Sequence, residues 1–303
     1  MKIVVLGAGA VGLAIAAKLS RVVNVHAVAR KRHADAMRKR GLLMTGIWGE
    51  GTYRFSCSES LPDAWHGADY YIITAKSTDT EAVCRQFVGE IRGREVVSLQ
   101  NGIGNEEIIG RYTDRVVGGM AITGFEWRGD ASVHVSVEAA PMKFGRFPSG
   151  MDDSVRRLVD LIREAGIRVE ATDDIGSDLW SKTLYNCALN PLGAVTNVPY
   201  GALADQHAWA IVAAIVREVY QVVRAEGVAL PWGTAEAYLE YLKTEQLPAT
   251  AAHHSSMLQD LARGRRTEID FLNGAVTDLA RKHGIDVPYN TCITELIRFR
   301  ERL

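Results

Sequence analysis

The sequence has no long hydrophobic run, no paired cysteines and no excess of charge of one sign. No apolar run approaches the ~20 residues that a membrane-spanning helix needs, and the chain enters a strand at once without a signal-peptide pattern. Lys and Arg number 35 against 36 Asp and Glu, giving a formal net charge of −1. This balance gives no electrostatic reason to bind nucleic acid or a membrane surface, so neither is predicted as a partner.

The four cysteines, Cys57, Cys84, Cys187 and Cys292, are far apart and form no CxxC pair. This spacing favours reduced thiols in a cytoplasmic protein over a disulfide framework or a zinc site. The eight histidines also fit no metal-ligand spacing. The sequence therefore predicts a cytoplasmic protein without a bound metal.

The first twenty residues read as a strand, a tight turn and a helix, with the letters KIVVL, GAGAVG and LAIAAKLS. In a dinucleotide-binding βαβ unit, glycines in a GxGxxG pattern allow the sharp turn, the approach of a pyrophosphate and close helix packing. Free N–H groups at the helix N-terminus also favour a phosphate. The predicted cofactor-binding turn consists of Gly7, Ala8, Gly9, Ala10, Val11 and Gly12. The alternative is a glycine-rich turn without a ligand.

The second predicted strand, 25–29, is followed by Arg30, Lys31 and Arg32 and by no acid. NAD-binding units usually carry an acid here for the ribose 2′-hydroxyl, whereas an arginine accommodates the 2′-phosphate of NADP. Arg30 is therefore predicted to bind NADP(H), and the alternative is a solvated basic start of a helix.

Three further strands are predicted at residues 70–75, 95–99 and 116–123. In an open parallel sheet, ligands bind beyond the carboxyl ends of the strands. The residues that follow these ends, Lys76, Asn101 and Gly124 in a Thr123-Gly124 turn, are therefore expected at the cofactor site.

Residues 131–137 alternate in polarity and are expected to pair with residues 142–145 as an antiparallel edge. Beyond residue 173 the pattern contains helices only, without repeats or a flexible linker. The sequence thus predicts an α/β Rossmann-type domain with a mostly parallel, doubly wound sheet over residues 1–172. An all-α domain is predicted over residues 173–303, with the site in the cleft between the two.

Lys182, Asn186 and Asn190 form one polar stripe on an otherwise apolar predicted helix, because they lie four residues apart. Buried ammonium and amide groups need partners from the protein or from a ligand. Pro191 is expected to kink this helix and to free a carbonyl one turn back. The alternative is that Lys182 extends to water and the asparagines bond to neighbouring loops.

A second polar cluster covers residues 255–260 and 264–270, with the letters SSMLQD and GRRTEID. Ser256 fits either a ligand-binding role or a helix cap, and Thr267 with Asp270 fits a capping box.

Taken together, GAGAVG, LQNGIGNEE, WSKTLYNCALNP, SSMLQD and GRRTEID resemble the ketopantoate reductase (2-dehydropantoate 2-reductase) family over the whole length. The resemblance implies a Rossmann domain plus an all-helical domain. It also implies NADPH-dependent reduction of 2-dehydropantoate, a 2-oxo acid, to (R)-pantoate in pantothenate and coenzyme A biosynthesis.

The resemblance further implies roles for eight residues. Lys182 corresponds to the general acid, and Glu268 lies at the cofactor and the lysine. The substrate is bound by Asn186, Asn190 and Ser256, and Asn101 lies between nicotinamide and substrate. The adenosine phosphate end of the cofactor is held by Arg30 and Lys76.

One position departs from the family pattern. The family often has a further substrate-binding asparagine after the proline that follows the lysine helix, but here Tyr200 follows Pro199. Another 2-oxo acid, a 3-hydroxy acid or opine-type substrate, a non-catalytic NADP(H) sensor and a flavin enzyme stay as alternatives. A monomer and a homodimer are equally compatible with the sequence.

Replacing Arg30 by alanine tests the predicted 2′-phosphate contact. We expect the Kd for NADPH to rise about tenfold or more, because charge-assisted hydrogen bonds contribute roughly 1.5–3 kcal/mol. The Kd for NADH, which lacks this phosphate, should change far less. Fluorescence titration of both nucleotides measures this, and equal effects on the two would remove Arg30 from the site.

Overall fold

The computed structural model describes residues 1–303, which divide into two compact units. Unit 1 contains Met1–Gln100 and Asn105–Gly176, and unit 2 contains Asn101–Gly104 and Ser177–Leu303. The short segment 101–104 thus belongs with the C-terminal half of the chain, although it lies in the N-terminal half of the sequence.

Unit 1 is built on a ten-stranded sheet. Its strands in chain order are β1 Lys2–Leu6, β2 Asn24–Val28, β3 Leu42–Gly46, β4 Gly51–Tyr53, β5 Ser56–Ser58, β6 Tyr70–Ile73, β7 Glu95–Ser98, β8 Val116–Gly129, β9 Ser132–Arg146 and β10 Val169–Ala171. The spatial order is β4-β3-β9-β8-β7-β6-β1-β2-β5, and β10 pairs with β9. Only β3 with β4 and β8 with β9 are antiparallel. The prediction of a mostly parallel Rossmann-type sheet is therefore confirmed.

Both faces of the central strands of this sheet are buried. Successive residues of a strand point to opposite faces, and along β1 the side chains of Ile3 and Val5 join one apolar cluster while Val4 and Leu6 join another. Helices on both faces explain why such strands read as continuous apolar runs. The helices of unit 1 are α1 Ala10–Leu19, α2 Lys31–Arg40, α3 Thr80–Gln86, α4 Val88–Ile91, α5 Asn105–Ile109 and α6 Asp153–Glu164.

The expected turn at Thr123-Gly124 is wrong, because β8 continues through it to Gly129. The expected pairing of 131–137 with 142–145 is also wrong, since residues 132–137 and 142–145 belong to one strand, β9, which runs antiparallel to β8. Gly124 serves close approach of strands here, because a Cβ on it would lie 2.6 Å from Ser136 Oγ. A glycine required for cross-strand packing gives the same sequence signal as a turn glycine.

Three short strands, β3, β4 and β5, were not predicted from the sequence. They lie between residues 42 and 58, and β4 and β5 have three residues each. Such short strands carry too little alternation to be distinguished from a loop, and long-range pairing defines them: β3 pairs with β9 and β5 with β2.

Unit 2 is helical. Its helices are α7 Ile175–Thr196, which begins at the end of unit 1, α8 Gln206–Ala225, α9 Ala235–Tyr241, α10 Leu247–Ala249, α11 Ser256–Ala262, α12 Asn273–His283 and α13 Pro288–Arg300. Short 3-10 turns lie at Tyr200–Ala204 and Ile269–Phe271, and a π-helical turn at Leu242–Gln246. No helix combines the length and apolar character needed to cross a bilayer.

The carbonyl that Pro191 leaves without its helical donor is that of Cys187, four residues earlier. Asn273 Nδ2 donates to this oxygen at 3.2 Å and also to Asn290 Oδ1 at 2.9 Å. Asn290 Nδ2 in turn donates to Glu218 Oε2 at 2.7 Å. Helix α7 therefore continues through Pro191 because side chains of α12 and α13 complete its buried polar network.

Gly12 and Gly9 form a matched pair for testing the glycine turn. A Cβ on Gly12 would lie 2.2 Å from Thr74 Oγ1 and 3.0 Å from Val5 Cγ1, whereas a Cβ on Gly9 would meet only Gly7 O at 4.0 Å. We expect Gly12→Ala to lower the free energy of unfolding by about 1–3 kcal/mol through overpacking. Gly9→Ala should change it by less than about 0.5 kcal/mol.

Chemical denaturation of both variants measures the two free energies, and nucleotide titration supplies the second readout. Gly9→Ala should weaken dinucleotide binding in a normally stable protein, because its methyl group lies where a pyrophosphate would approach the backbone. Equal stability of the two variants would contradict the packing role of Gly12.

Candidate active site

The glycine turn of unit 1 follows β1 and leads into α1. Gly7 has a φ of +72°, which an L side chain rarely adopts. The first hydrogen bond of α1 runs from Leu13 N to Gly9 O at 2.9 Å, so the N–H groups just before it have no carbonyl within the helix to bind. With open space at the Gly9 Cα, these donors fit the pyrophosphate of a dinucleotide.

The three cations after β2 differ in their surroundings. Lys31 Nζ pairs with Asp35 at 2.7 Å, and Arg32 Nε lies 3.5 Å from Asp130 Oδ1. Arg30 is exposed, precedes α2 and makes no ion pair or side-chain hydrogen bond. Of the three cations, Arg30 is therefore the one whose charge no acidic side chain neutralises, and it suits an anionic ligand. Arg32→Ala is the matched control for Arg30→Ala.

Lys76 is exposed and follows β6, the parallel neighbour of β1. Leu6 at the end of β1 pairs with Ile73 at the end of β6. The turn that begins at Gly7 and the segment that contains Lys76 therefore leave the sheet at the same edge. Gly124 differs, because it lies within β8 opposite Val137 rather than at a strand end. The structural basis on which Gly124 was predicted to contact the cofactor is therefore wrong.

A small polar pocket lies within unit 2. Its lining consists of Asn101, Asn186, Asn190, Ser256, Met257, Asp260, Glu268 and Leu272. The sequence singled out five of these residues, and their roles stay predictions. The pocket has a volume of about 10 Å³, which is about the room for one water molecule.

Helix α7 supplies one wall of this pocket. Asn186 and Asn190 lie one turn apart on it, and Asn190 is only 6% exposed. Lys182 lies one further turn towards the N-terminus, is half-buried and is not part of the lining. Asn186 and Asn190 thus line the pocket, whereas Lys182 lies one turn from Asn186 along the helix.

The segment 101–104 contributes Asn101 to the lining. Ile103 N donates to Phe271 O at 2.8 Å, and Asn101 Nδ2 donates to Glu268 Oε2 at 3.1 Å. Gly102 has a φ of +86°, and a Cβ on it would lie 2.2 Å from Phe271 O. A glycine is therefore required for the chain to approach the 269–271 turn and to bring Asn101 to Glu268.

The adjacent serines Ser255 and Ser256 have different roles. Ser255 Oγ accepts from Leu258 N at 3.0 Å and is the cap of α11. The Ser256 side chain makes no hydrogen bond within the protein and lines the pocket. The cap interpretation of Ser256 is therefore wrong, because its neighbour occupies that position.

The predicted capping box of Thr267 and Asp270 is also wrong. Thr267 Oγ1 donates to Glu301 Oε1 at 2.7 Å, and Arg298 Nη2 donates to Asp270 Oδ1 at 2.7 Å. Both side chains therefore bind α13 or the residue that follows it. These contacts attach the segment that carries Glu268 to the end of the chain.

Asp260, Met257 and Leu272 line the pocket but were not predicted as site residues. Asp260 is 6% exposed and lies four residues after Ser256 on α11, so both side chains share one face of that helix. Helical spacing from Ser256 is the signal that would have found Asp260. The pocket therefore has two carboxylates, Asp260 and Glu268, next to neutral polar groups.

The neutral polar groups leave hydrogen-bonding capacity for a ligand. The side chains of Asn186 and Ser256 make no hydrogen bond within the protein, although they can donate and accept. This arrangement suits a small, polar, oxygen-rich molecule better than an apolar one. A Rossmann-type unit together with a pocket of this kind is typical of oxidoreductases.

Two family models match almost the whole chain. The model described as "Ketopantoate reductase PanE/ApbA" matches residues 3–149, and the model described as "Ketopantoate reductase PanE/ApbA C terminal" matches residues 174–301. The chain belongs to the ketopantoate reductase family, which confirms the family predicted from its motifs.

Relatives of known sequence agree with this membership. The 2-dehydropantoate 2-reductase of Pyrococcus horikoshii is 32% identical over 313 residues, covering 100% of this chain and 98% of the relative. That of Archaeoglobus fulgidus is 32% identical over 299 residues, covering 98% and 97%. Since nearly all of both chains is covered, the similarity includes both units.

Solved structures show the same fold. A PanE/ApbA family ketopantoate reductase from Ralstonia eutropha JMP134 has a TM-score of 0.89 at 30% identity, covering 100% of this chain and 99% of that chain. D-mandelate dehydrogenase, solved with NADH and anilino(oxo)acetate, has a TM-score of 0.89 at 25% identity with the same coverage.

Gly102→Ala tests whether the 101–104 segment holds the pocket together. We expect it to lower the free energy of unfolding by at least about 2 kcal/mol, because a strained φ adds to a clash with Phe271 O. Gly104→Ala is the matched control, since Gly104 also has a positive φ but its Cβ would lie 3.9 Å from the Phe271 ring.

Thermal and chemical denaturation of both variants measures the difference. The clash should make the loss in Gly102→Ala clearly larger than the loss in Gly104→Ala, which comes from φ strain alone. Similar losses in the two variants would mean that the close approach to Phe271 is unimportant.

Proposed function

We propose that the protein is an NADPH-dependent reductase that converts 2-dehydropantoate, a 2-oxo acid, to (R)-pantoate. The observation that carries this proposal is the pocket of unit 2, where six polar residues of the family motifs line one small space. The relatives that are 32% identical over the whole chain are named 2-dehydropantoate 2-reductase, which supports the same reaction.

The cofactor proposal rests on the glycine turn and on Arg30. When bound, a nicotinamide dinucleotide supplies the hydride. The glycine turn fits its pyrophosphate, and the unpaired guanidinium of Arg30 after β2 favours a 2′-phosphate, hence NADP(H). Lys76, on the neighbouring strand end, is proposed to add a second cation at the phosphate end. D-mandelate dehydrogenase, a similar structure, was solved with NADH, so NADH is the alternative nucleotide.

Lys182 is proposed as the proton donor. As a hydride adds to the ketone carbon, the electron pair of the carbonyl π bond moves to oxygen. The resulting alkoxide takes a proton from the Lys182 ammonium, which becomes a neutral amine. A positioned general acid of this kind contributes about 10²–10⁴-fold to the rate. The position of Lys182, one helical turn from Asn186, supports this role.

The other pocket residues are proposed to bind and orient the substrate. Asn186 and Asn190 are suited to a hydroxyl, while Ser256 and nearby backbone N–H groups are suited to a carboxylate. Glu268 accepts from Asn101 Nδ2 and so fixes the direction of that amide. We propose that Glu268 acts through this contact and through the charge that it brings near the lysine.

A second candidate is the reduction of a different 2-oxo acid on the same scaffold. One observation favours it: the similarity to D-mandelate dehydrogenase, which was solved with anilino(oxo)acetate. Both candidates use the same reaction type and the same proposed proton donor. They differ in the group that the pocket accepts beside the 2-oxo acid.

Steady-state oxidation of NADPH, followed by its absorbance, tests the proposal. The assay compares 2-dehydropantoate with close 2-oxo acids, among them phenylglyoxylate, and repeats each with NADH. A kcat/KM highest for 2-dehydropantoate supports the first candidate, and one highest for another 2-oxo acid supports the second. Nucleotide binding without turnover of any 2-oxo acid would reject both and leave a nucleotide sensor.

Lys182→Ala should lower kcat by at least about 100-fold, because the alkoxide then lacks its positioned acid. The fold should persist, since the side chain is only half-buried and leaves no large cavity. Lys243→Ala, which removes an exposed lysine over the Trp209 ring at 5.7 Å, is the control and should leave kcat unchanged. Near-normal turnover of a folded Lys182→Ala protein would reject the assignment.

A further inference from the structure

We propose that Tyr200 is a positioning residue that fixes the Asn190 amide so that it offers only its NH₂ group to the substrate. The pocket then favours a substrate with an oxygen at this point and disfavours the analogue that lacks it. This inference rests on the proposed 2-oxo acid reductase function and deepens it, because it names the substrate feature that this chain selects.

Tyr200 belongs to the wall behind the pocket rather than to its lining. It is 2% exposed, and its hydroxyl donates to Asn190 Oδ1. The hydroxyl has no other hydrogen-bond partner, and a buried O–H group without an acceptor costs about 1–3 kcal/mol. Because Asn190 Oδ1 is the one acceptor available to this proton, the carbonyl side of the amide must face Tyr200.

The ring of Tyr200 is held on several sides. It packs edge-on against Tyr185, with ring centroids 5.9 Å apart and planes at 83°, and it lies 5.2 Å from the His253 ring. Tyr200 N also donates to His253 O at 3.0 Å. Burial raises the pKa of the Tyr200 phenol well above its ordinary value, so the hydroxyl keeps its proton and stays a donor.

An amide whose carbonyl is occupied can offer only its NH₂ group. Asn190 Nδ2 makes no hydrogen bond within the protein, and Asn190 lines the pocket. A substrate oxygen at this point, such as a hydroxyl, satisfies that donor. A substrate without it leaves a desolvated N–H group unpaired, which is the situation in which a site discriminates against a smaller analogue.

The test compares two substrates that differ in a single hydroxyl: 2-dehydropantoate and 3,3-dimethyl-2-oxobutanoate, the same 2-oxo acid without its 4-hydroxyl. We expect the unaltered protein to prefer the hydroxylated substrate in kcat/KM. In Tyr200→Phe the ring stays but the amide is free to turn, so the preference should fall about tenfold, the equivalent of one net hydrogen bond.

Tyr185→Phe is the matched control, because it removes a phenol hydroxyl from the same aromatic group without touching Asn190. The Tyr185 hydroxyl donates to Thr250 Oγ1 at 2.9 Å instead. The control should keep the preference of the unaltered protein. A ratio of two kcat/KM values is insensitive to a general loss of folded protein. The inference is overturned if Tyr200→Phe keeps the full preference, or if Tyr185→Phe loses as much.

A second readout does not depend on turnover. In protein with ¹⁵N-labelled asparagine and no added nucleotide, Asn190→Asp identifies the NMR signals of the Asn190 NH₂ pair. We expect Tyr200→Phe to shift this pair and to speed its exchange with water, whereas Tyr185→Phe leaves it in place. An unmoved pair in Tyr200→Phe overturns the inference. Failure of the unaltered protein to reduce either 2-oxo acid rejects the proposed function instead, while the NMR result still decides whether Tyr200 holds Asn190.

Discussion

The pocket of unit 2 depends on a backbone contact between two segments far apart in the sequence. The Ile103 amide donates to the Phe271 carbonyl, and only a glycine at 102 leaves room for this approach. The contact brings Asn101 within reach of Glu268. Next to Glu268 in the sequence, Thr267 is bound to Glu301. The pocket lining therefore comes from several segments that contact each other, and not from one helix alone.

Helix α7 carries buried polar groups that are paired with hydrogen-bond partners from other segments. Pro191 frees the Cys187 carbonyl, and Asn273 donates to it. The Tyr200 hydroxyl binds one side of the Asn190 amide. Because each unpaired buried group would cost about 1–3 kcal/mol, such pairing explains why a long apolar helix tolerates these residues. The capacity that the protein leaves unused, on Asn186 and on the NH₂ group of Asn190, lies in the pocket.

Much of this architecture could be predicted from local sequence. The glycine turn and the α7 stripe depend on residues within one or two turns of the chain, so spacing alone identifies them. The continuation of β8 past Gly124 could not be predicted, because the reason for that glycine is the side chain of Ser136 on the neighbouring strand. The same holds for the bond between Tyr200 and Asn190, whose partner no periodic pattern identifies.

The division of the chain has a consequence for synthesis on the ribosome. Unit 2 includes residues 101–104, and the bond from Asn101 to Glu268 joins residues 167 positions apart. A nascent chain therefore exposes this segment long before its binding turn has been translated, and the pocket can close only when synthesis is nearly complete. Cleavage after Gly176 would separate the helical fragment from residues 101–104, which belong to its unit, so the C-terminal fragment lacks part of the pocket.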